Sequence, residues 1–161
     1  NHTLFLMPQY IYTAKGVVSS TSAGSEDVAI TIKGVPAAST VVWVKRIQVS
    51  AHTPNDNRIS VRGYLTTSTV GGAVATVAVP KNPLFRIGSA SVFIKPTTTA
   101  TSTPTVFASL FEANFNARGV WEWIARDELD YFITYPSTYF TLSFLSTSAS
   151  VTADVTLEWI E

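Results

Sequence analysis

The stretch Val151-Thr152-Ala153-Asp154-Val155-Thr156-Leu157-Glu158-Trp159 alternates without a break. Val151, Ala153, Val155, Leu157 and Trp159 fall on one face of an extended chain, and Thr152, Asp154, Thr156 and Glu158 fall on the other. A helix would scatter these side chains around its axis, so a period of two over this length predicts a half-buried antiparallel strand. Just before it, Tyr139 to Leu145 repeats the pattern, with Phe140, Leu142 and Phe144 on one parity and Thr141 and Ser143 between them. A small polar turn joins the two. A chain that closes on such a strand at Ile160-Glu161 is expected to leave no tail for targeting or tethering.

The 161 residues suffice for one domain with a real core, and 46% apolar with 12% aromatic residues is a globular composition. Charged residues are only 14%, well under the usual quarter. Ser and Thr outnumber them, which suits outward strand positions and a surface that another subunit covers without desolvating many ions. A net charge of zero gives no basic footprint for nucleic acid and no polybasic cluster for an anionic membrane. No apolar run is long enough to span a bilayer as a helix. The chain starts at Asn1, without a charged leader, and holds no cysteine.

Residues 1–9 read as an apolar arm, Leu4-Phe5-Leu6-Met7 before Pro8, that forms an edge strand or lies on a neighbouring subunit. Residues 10–161 read as a single β-sandwich domain. Tyr10 to Val18 is a strand, and Asp27 to Lys33 another, with Val28, Ile30 and Ile32 expected inward. Val41 to His52 has a mixed start, as if its first half were covered on both sides. The turn Thr53-Pro54-Asn55-Asp56-Asn57 predicts a hairpin that returns along Arg58 to Leu65. Short strands follow within Ala73 to Val79 and Ile87 to Lys95, then a Thr-rich loop from Pro96 to Pro104. Val106 to Phe115 fits both periods, and three aromatics on one parity decide for a strand. Gly119 to Ala125 places Trp121 and Trp123 on one face, and Asp130 to Tyr135 is a further short strand. Eight to ten strands broken by Gly, Pro, Ser, Thr and Asn turns point to an all-β antiparallel sandwich of jelly-roll type.

No catalytic constellation emerges. His2 and His52 lie outside any ligand-spaced cluster, and no nucleophile elbow, phosphate loop or calcium loop is present. Glu112, Glu122, Glu128, Asp127 and Asp130 could supply a glycosidase pair, but Glu122 faces away from the rings of Trp121 and Trp123. The expectation is a protein that is not an enzyme and needs no metal or other cofactor. Trp43 and Trp159 are assigned to the core. Trp121 and Trp123 remain candidates for a subunit interface or a glycan platform.

The segment Val44-Lys45-Arg46-Ile47-Gln48-Val49-Ser50-Ala51 before a turn, a later aromatic segment, and the closing Val155-Thr156-Leu157-Glu158-Trp159-Ile160-Glu161 resemble small β-sandwich virion structural proteins of tailed bacteriophages. The resemblance lies in strand and turn pattern, spans roughly the last three-quarters of the chain, and carries over no binding residue. It implies a capsid decoration or cement subunit on the particle surface, or part of a head or tail fibre. Such a subunit packs against capsid protein and against itself as a homo-oligomer. The alternatives are a single-jelly-roll shell protein and a carbohydrate- or receptor-binding module. The contact candidates are Leu4, Phe5 and Leu6 of the arm together with Trp121 and Trp123. Deleting residues 1–9 should weaken assembly, read by sedimentation, more than folding, read by urea unfolding; equal losses would make the arm an ordinary edge strand.

Overall fold

In the computed structural model, residues 11–20, 26–33, 41–53, 56–67, 74–77, 79–81, 91–94, 106–135, 137–147 and 151–160 are described. Strands form wherever alternation or β-branched content favoured them: β1 (Ile11–Ser20), β2 (Glu26–Lys33), β3 (Trp43–Ala51), β4 (Arg58–Thr66), β5 (Val74–Val77), β6 (Val79–Pro80) and β7 (Ser91–Ile94). The second half adds β8 (Val106–Asn116), β9 (Val120–Ile124), β10 (Phe132–Ile133), β11 (Tyr139–Ser146) and β12 (Val151–Ile160). The one helical element among the described residues is a single 3₁₀ turn, Glu128–Asp130. The Thr-rich stretch 96–104 and the arm 1–9, with Leu4, Phe5 and Leu6, lie outside the described residues.

The strands pair antiparallel in two sheets that pack face to face. One runs β6-β1-β12-β3, with β9 and β10 both along the far edge of β3; the other runs β5-β7-β2-β11-β4-β8. Setting aside the short β5, β6, β7 and β10, the order is β1-β12-β3-β9 over β2-β11-β4-β8, which is that of a jelly roll. Among these eight, successive strands alternate between sheets except β4 and β8, which are neighbours in one. The expected hairpin does not form: β3 pairs with β12 and β9, while β4 lies in the opposite sheet beside β11 and β8. A turn-favouring sequence between two strands serves a crossing between sheets as readily as a hairpin.

Two bulges change which side chains face inward. Opposite Glu158 and Trp159 the β3–β12 register shifts by one, so Arg46 pairs with Glu158 while Val44 pairs with Trp159. The extra residue, Lys45, switches the parity of β3, which buries Val42 and Val44 before it and Ile47, Val49 and Ala51 after it. This accounts for the mixed start of the segment. It also puts Trp43 in the outer row with Ile160 and Ile133, half-buried, and not in the core as expected. The second bulge lies between Leu142 and Ser143 against β2. There Val28 pairs with the outward Ser143 and borders a hollow with Glu26, Tyr64 and Thr141 on the outer face. Val28 is buried (6% exposed), yet beneath that outer-face hollow and outside the central cluster that holds Ile30 and Ile32, so its expected face is corrected.

The core draws on both sheets: Ile30, Ile32, Ile59, Val61, Phe140, Leu142 and Phe144 from one, and Tyr12, Ala14, Val44, Ile47, Val49, Val155, Leu157 and Trp159 from the other. Burying each large aliphatic or aromatic side chain contributes about 1.5–3 kcal/mol. All five inward residues of β12 are buried, as the alternation predicted. At the β8 side the Phe111 ring lies against Gly63 of β4, where an added Cβ would sit 2.1 Å from the ring. Gly63→Ala should therefore cost about 1–3 kcal/mol by overpacking. Urea unfolding measures that loss, and a Phe111→Leu background should recover part of it.

Candidate functional site

The sequence from 117 to 134 builds one long side of the sandwich. The turn at Ala117–Gly119 is held by Ala117 N–H donating to Asn57 O (2.8 Å) and Gly119 N–H to Asn116 O (2.8 Å). It delivers β9 to the free edge of β3, with Val120, Glu122 and Ile124 outward and Trp121 and Trp123 toward the other sheet. Ala125 N–H still donates to Lys45 O (2.9 Å), after which the chain leaves the ladder for 126–131. Asp127 caps that excursion by accepting from Leu129 N–H (2.8 Å), and Asp130 Oδ2 accepts from Arg126 N–H (3.3 Å). The ladder resumes at Phe132, and Thr134 closes it from both sides: its N–H donates to Val42 O (3.0 Å), and its hydroxyl accepts from Val42 N–H (2.9 Å).

Trp121 and Trp123 are brought together here, half-buried, in an aromatic column between the sheets. Trp121 stacks on Phe111 (ring centroids 5.6 Å), Phe111 on Phe132 (5.0 Å), and Phe132 on Trp123 (4.3 Å) and Phe140 (6.1 Å). Offset aromatic contacts of this kind add about 0.5–1.5 kcal/mol each beyond area burial. The column fills the side where β8 and β9, the outermost long strands of the two sheets, run unpaired on their outer edges among the described residues. Phe111 and Phe132 carry the column as much as the tryptophans do. Their sequence signal was the aromatic parity of 107–115 and the short apolar Tyr131-Phe132-Ile133.

What this side offers to a partner is the rim of the column. A shallow hollow of about 500 Å³ is lined by Glu122, Trp123, Ile124, Arg126, Asp130 and Phe132. Beside it, Val120 (59% exposed), Ile124 (51%), Ile133 (39%), Tyr135 (59%) and Leu129 (94%) present apolar surface to solvent. Isolated exposed aliphatics are ordinary; this many along one sheet edge is a feature of interaction surfaces.

The outer faces are laced with ion pairs. On the first sheet, Arg46 donates to Glu122 through Nε (2.8 Å) and Nη2 (2.5 Å) and to Glu158 through Nη1 (3.1 Å), while Lys81 Nζ reaches Glu158 at 2.9 Å. The Glu158 side chain is only 8% exposed. Burial alone would raise its carboxyl pKa, but the hydrogen bond and charge of Lys81 and the charge of Arg46 outweigh it and hold the group below the ordinary value. On the second sheet, Glu26 accepts from the Tyr64 hydroxyl (2.7 Å), from Arg62 (3.2 Å) and from Ser143, and Arg62 also donates to Glu112 (3.2 Å). The Tyr64 hydroxyl titrates above its usual value because of burial and then the Glu26 carboxylate. Beneath them the hydroxyls of Thr31, Thr141 and Thr66 form a buried chain at 3.1 and 2.8 Å. These groups tie neighbouring strands together through the Glu26 carboxylate.

His52 meets the Asp154 carboxylate at 2.7 Å on the exposed end of the first sheet. Among the described residues, no three His, Cys, Asp or Glu side chains are grouped to hold a metal ion. No helix among them is long and apolar enough to cross a membrane. Glu122 and Asp130, two of the five carboxylates raised as a glycosidase possibility, both border the hollow, yet Glu122 is engaged by Arg46 and Asp130 by a backbone amide. No family model matches the chain, and neither a curated protein nor a solved structure matches it.

The lowered Glu158 carboxyl makes a pH prediction. A depressed folded value contributes stability above the unfolded value near 4.5, and that contribution is lost as pH falls through the folded one. Wild-type urea midpoints should drop on acidification through this window. Glu158→Gln should lower the neutral-pH stability by on the order of 1 kcal/mol and flatten that drop.

Proposed function

We propose that the chain is a virion structural protein that works by packing against copies of itself and against other capsid proteins. The observation that carries the reading is the strand order β1-β12-β3-β9 over β2-β11-β4-β8, an architecture widely used by viral capsid subunits. A fold alone does not give a function, so the surface chemistry matters as much. Charged side chains are few, several of the carboxylates on the sheet faces are committed to ion pairs, and exposed aliphatics gather on one edge. Those are properties of a surface meant to be covered by protein. Within this class the jelly-roll order favours a shell subunit over a decoration or cement subunit, the role that the resemblance to tailed-phage proteins implied.

A second reading rests on the hollow beside Trp123. An aromatic floor of Trp123 and Phe132 next to Glu122, Arg126 and Asp130 has the chemistry of a carbohydrate subsite, as in a receptor-binding tip. Glycan-array binding that Trp123→Ala abolishes, with oligomerisation unchanged, would favour it.

The decisive measurement is copy number per particle, by quantitative mass spectrometry of gradient-purified virions. Hundreds of copies are expected for a shell or decoration subunit. A handful would indicate a fibre or tip, and absence from particles would sink the virion reading.

A further inference from the structure

We infer that an apolar row across one end of the first sheet's outer face is the seat for residues 4–7 of a second copy of this chain. The inference rests on the proposed function for the idea of self-packing, and it names the two surfaces that meet. The row follows from the register: Ile133 of β10 pairs with Trp43 of β3, Trp43 with Ile160 of β12, and Ile160 with Ile11 of β1. Strand parity turns these side chains outward, because their chain neighbours Tyr12, Val44 and Trp159 point into the core. Ile133 is 39% exposed, Trp43 and Ile11 are half-buried, and Ile160 is buried between those two. The adjoining rows are of another kind: Ile124, Arg46, Glu158 and Thr13, then Glu122, Gln48, Thr156 and Lys15. Polar and charged groups thus cover the middle of this face. The wholly apolar row stands at the end where the chain enters β1.

The segment that leads into that end selects the occupant. Residues 1–9 hold Leu4-Phe5-Leu6-Met7 and no Asp, Glu, Lys or Arg, so laying them on this row buries no unpaired charge. Four extended residues cover about 13 Å, and the row crosses three strand spacings, about 14 Å. Segment and seat therefore match in length as well as in chemistry. Running beside β1 as an edge strand is closed to this segment. At Ile11, β1 is flanked by Ile160 on one side and by Lys81 on the other, whose N–H donates to Ile11 O (2.9 Å). Folding back onto the row of its own copy needs a sharp reversal just before Ile11. Pro8 holds the residue before it extended, and no Gly, Asn or Asp follows in Gln9-Tyr10 to favour a turn. Residues 4–7 stand roughly 13–23 Å of extended chain from Ile11, far enough to reach a copy packed against this end. Every copy carries both the segment and the seat, so one kind of contact satisfies both.

The chain holds no cysteine, so introduced thiols report the contact directly. Full-length Ile133→Cys is mixed with a mass-tagged chain carrying Leu4→Cys or Met7→Cys, the two ends of the segment, and oxidised. A disulfide between the two chains is expected with one of these arm positions. Val17→Cys, on the same outer face but toward its other end and 51% exposed, should give only background cross-linking. Ile133→Glu and, separately, Leu4→Asp/Leu6→Asp should each weaken self-association by roughly tenfold or more in sedimentation equilibrium, since each sets a charge in an apolar contact. The arm variant keeps the test valid if the seat variant fails to fold. No disulfide at either arm position, or equal cross-linking at Val17→Cys, overturns the inference. So does a chain carrying both thiols that closes only within itself, or association that Leu4→Asp/Leu6→Asp leaves unchanged. Cross-chain disulfides at the seat in a protein absent from virions overturn the virion reading and leave this one standing. A protein abundant in virions whose arm closes only within its own chain does the reverse.

Discussion

Burial of β12 between β1 and β3 is the constraint on which the rest of the molecule depends. Its five inward side chains, from Val151 to Trp159, reach into the centre of the sandwich, and Trp159 is fully buried beside Tyr12 at 6.2 Å between ring centroids. β11 holds the matching central place in the other sheet, between β2 and β4. Because these two consecutive strands lie in different sheets, the last part of the chain locks together strands contributed by everything before it. A sandwich completed by its C-terminal strand gathers pairings of high sequence separation, from Ile11 with Ile160 to Arg46 with Glu158. Closing such pairings late is the entropic burden of this topology.

The bulge opposite Glu158 links the core to the surface chemistry. Shifting the register by one residue turns Arg46 outward next to Glu158 and keeps Val44 inward next to Trp159. The outward row becomes an ion-paired network of Glu122, Arg46, Glu158 and Lys81 that spans the sheet from its β9 edge to the residue after β6. Glu122 is thereby drawn into the sheet's own network and no longer guards the edge strand it sits on.

The aromatic column solves a different problem on the same side. The sheets meet along this side at a seam that aromatic side chains fill. Phe111 does so by lying on Gly63, and Phe132, Trp121 and Trp123 fill the space around it. The two tryptophans therefore serve first as packing, and what reaches solvent is the rim of Trp123 and the aliphatic residues beside it. The hollow and the open strand edge are consequences of this seam, not additions to it.

Alternation in the sequence determined the all-β class, the inward faces of β11 and β12, the strand character of 106–115 and 120–124, and the shared face of Trp121 and Trp123. These are legible because strand geometry is local: a period of two fixes which neighbours share a face, whatever pairs with them. Only the tertiary structure decided which strands pair. It placed β3 and β4 in different sheets where a hairpin was expected, and it inserted the bulges that turned Trp43 and Val28 outward. It also brought Lys81, Arg46 and Glu158 together from distant parts of the chain. Register and bulges are set by packing against partners far away in sequence, and a local pattern carries no record of which partner that is.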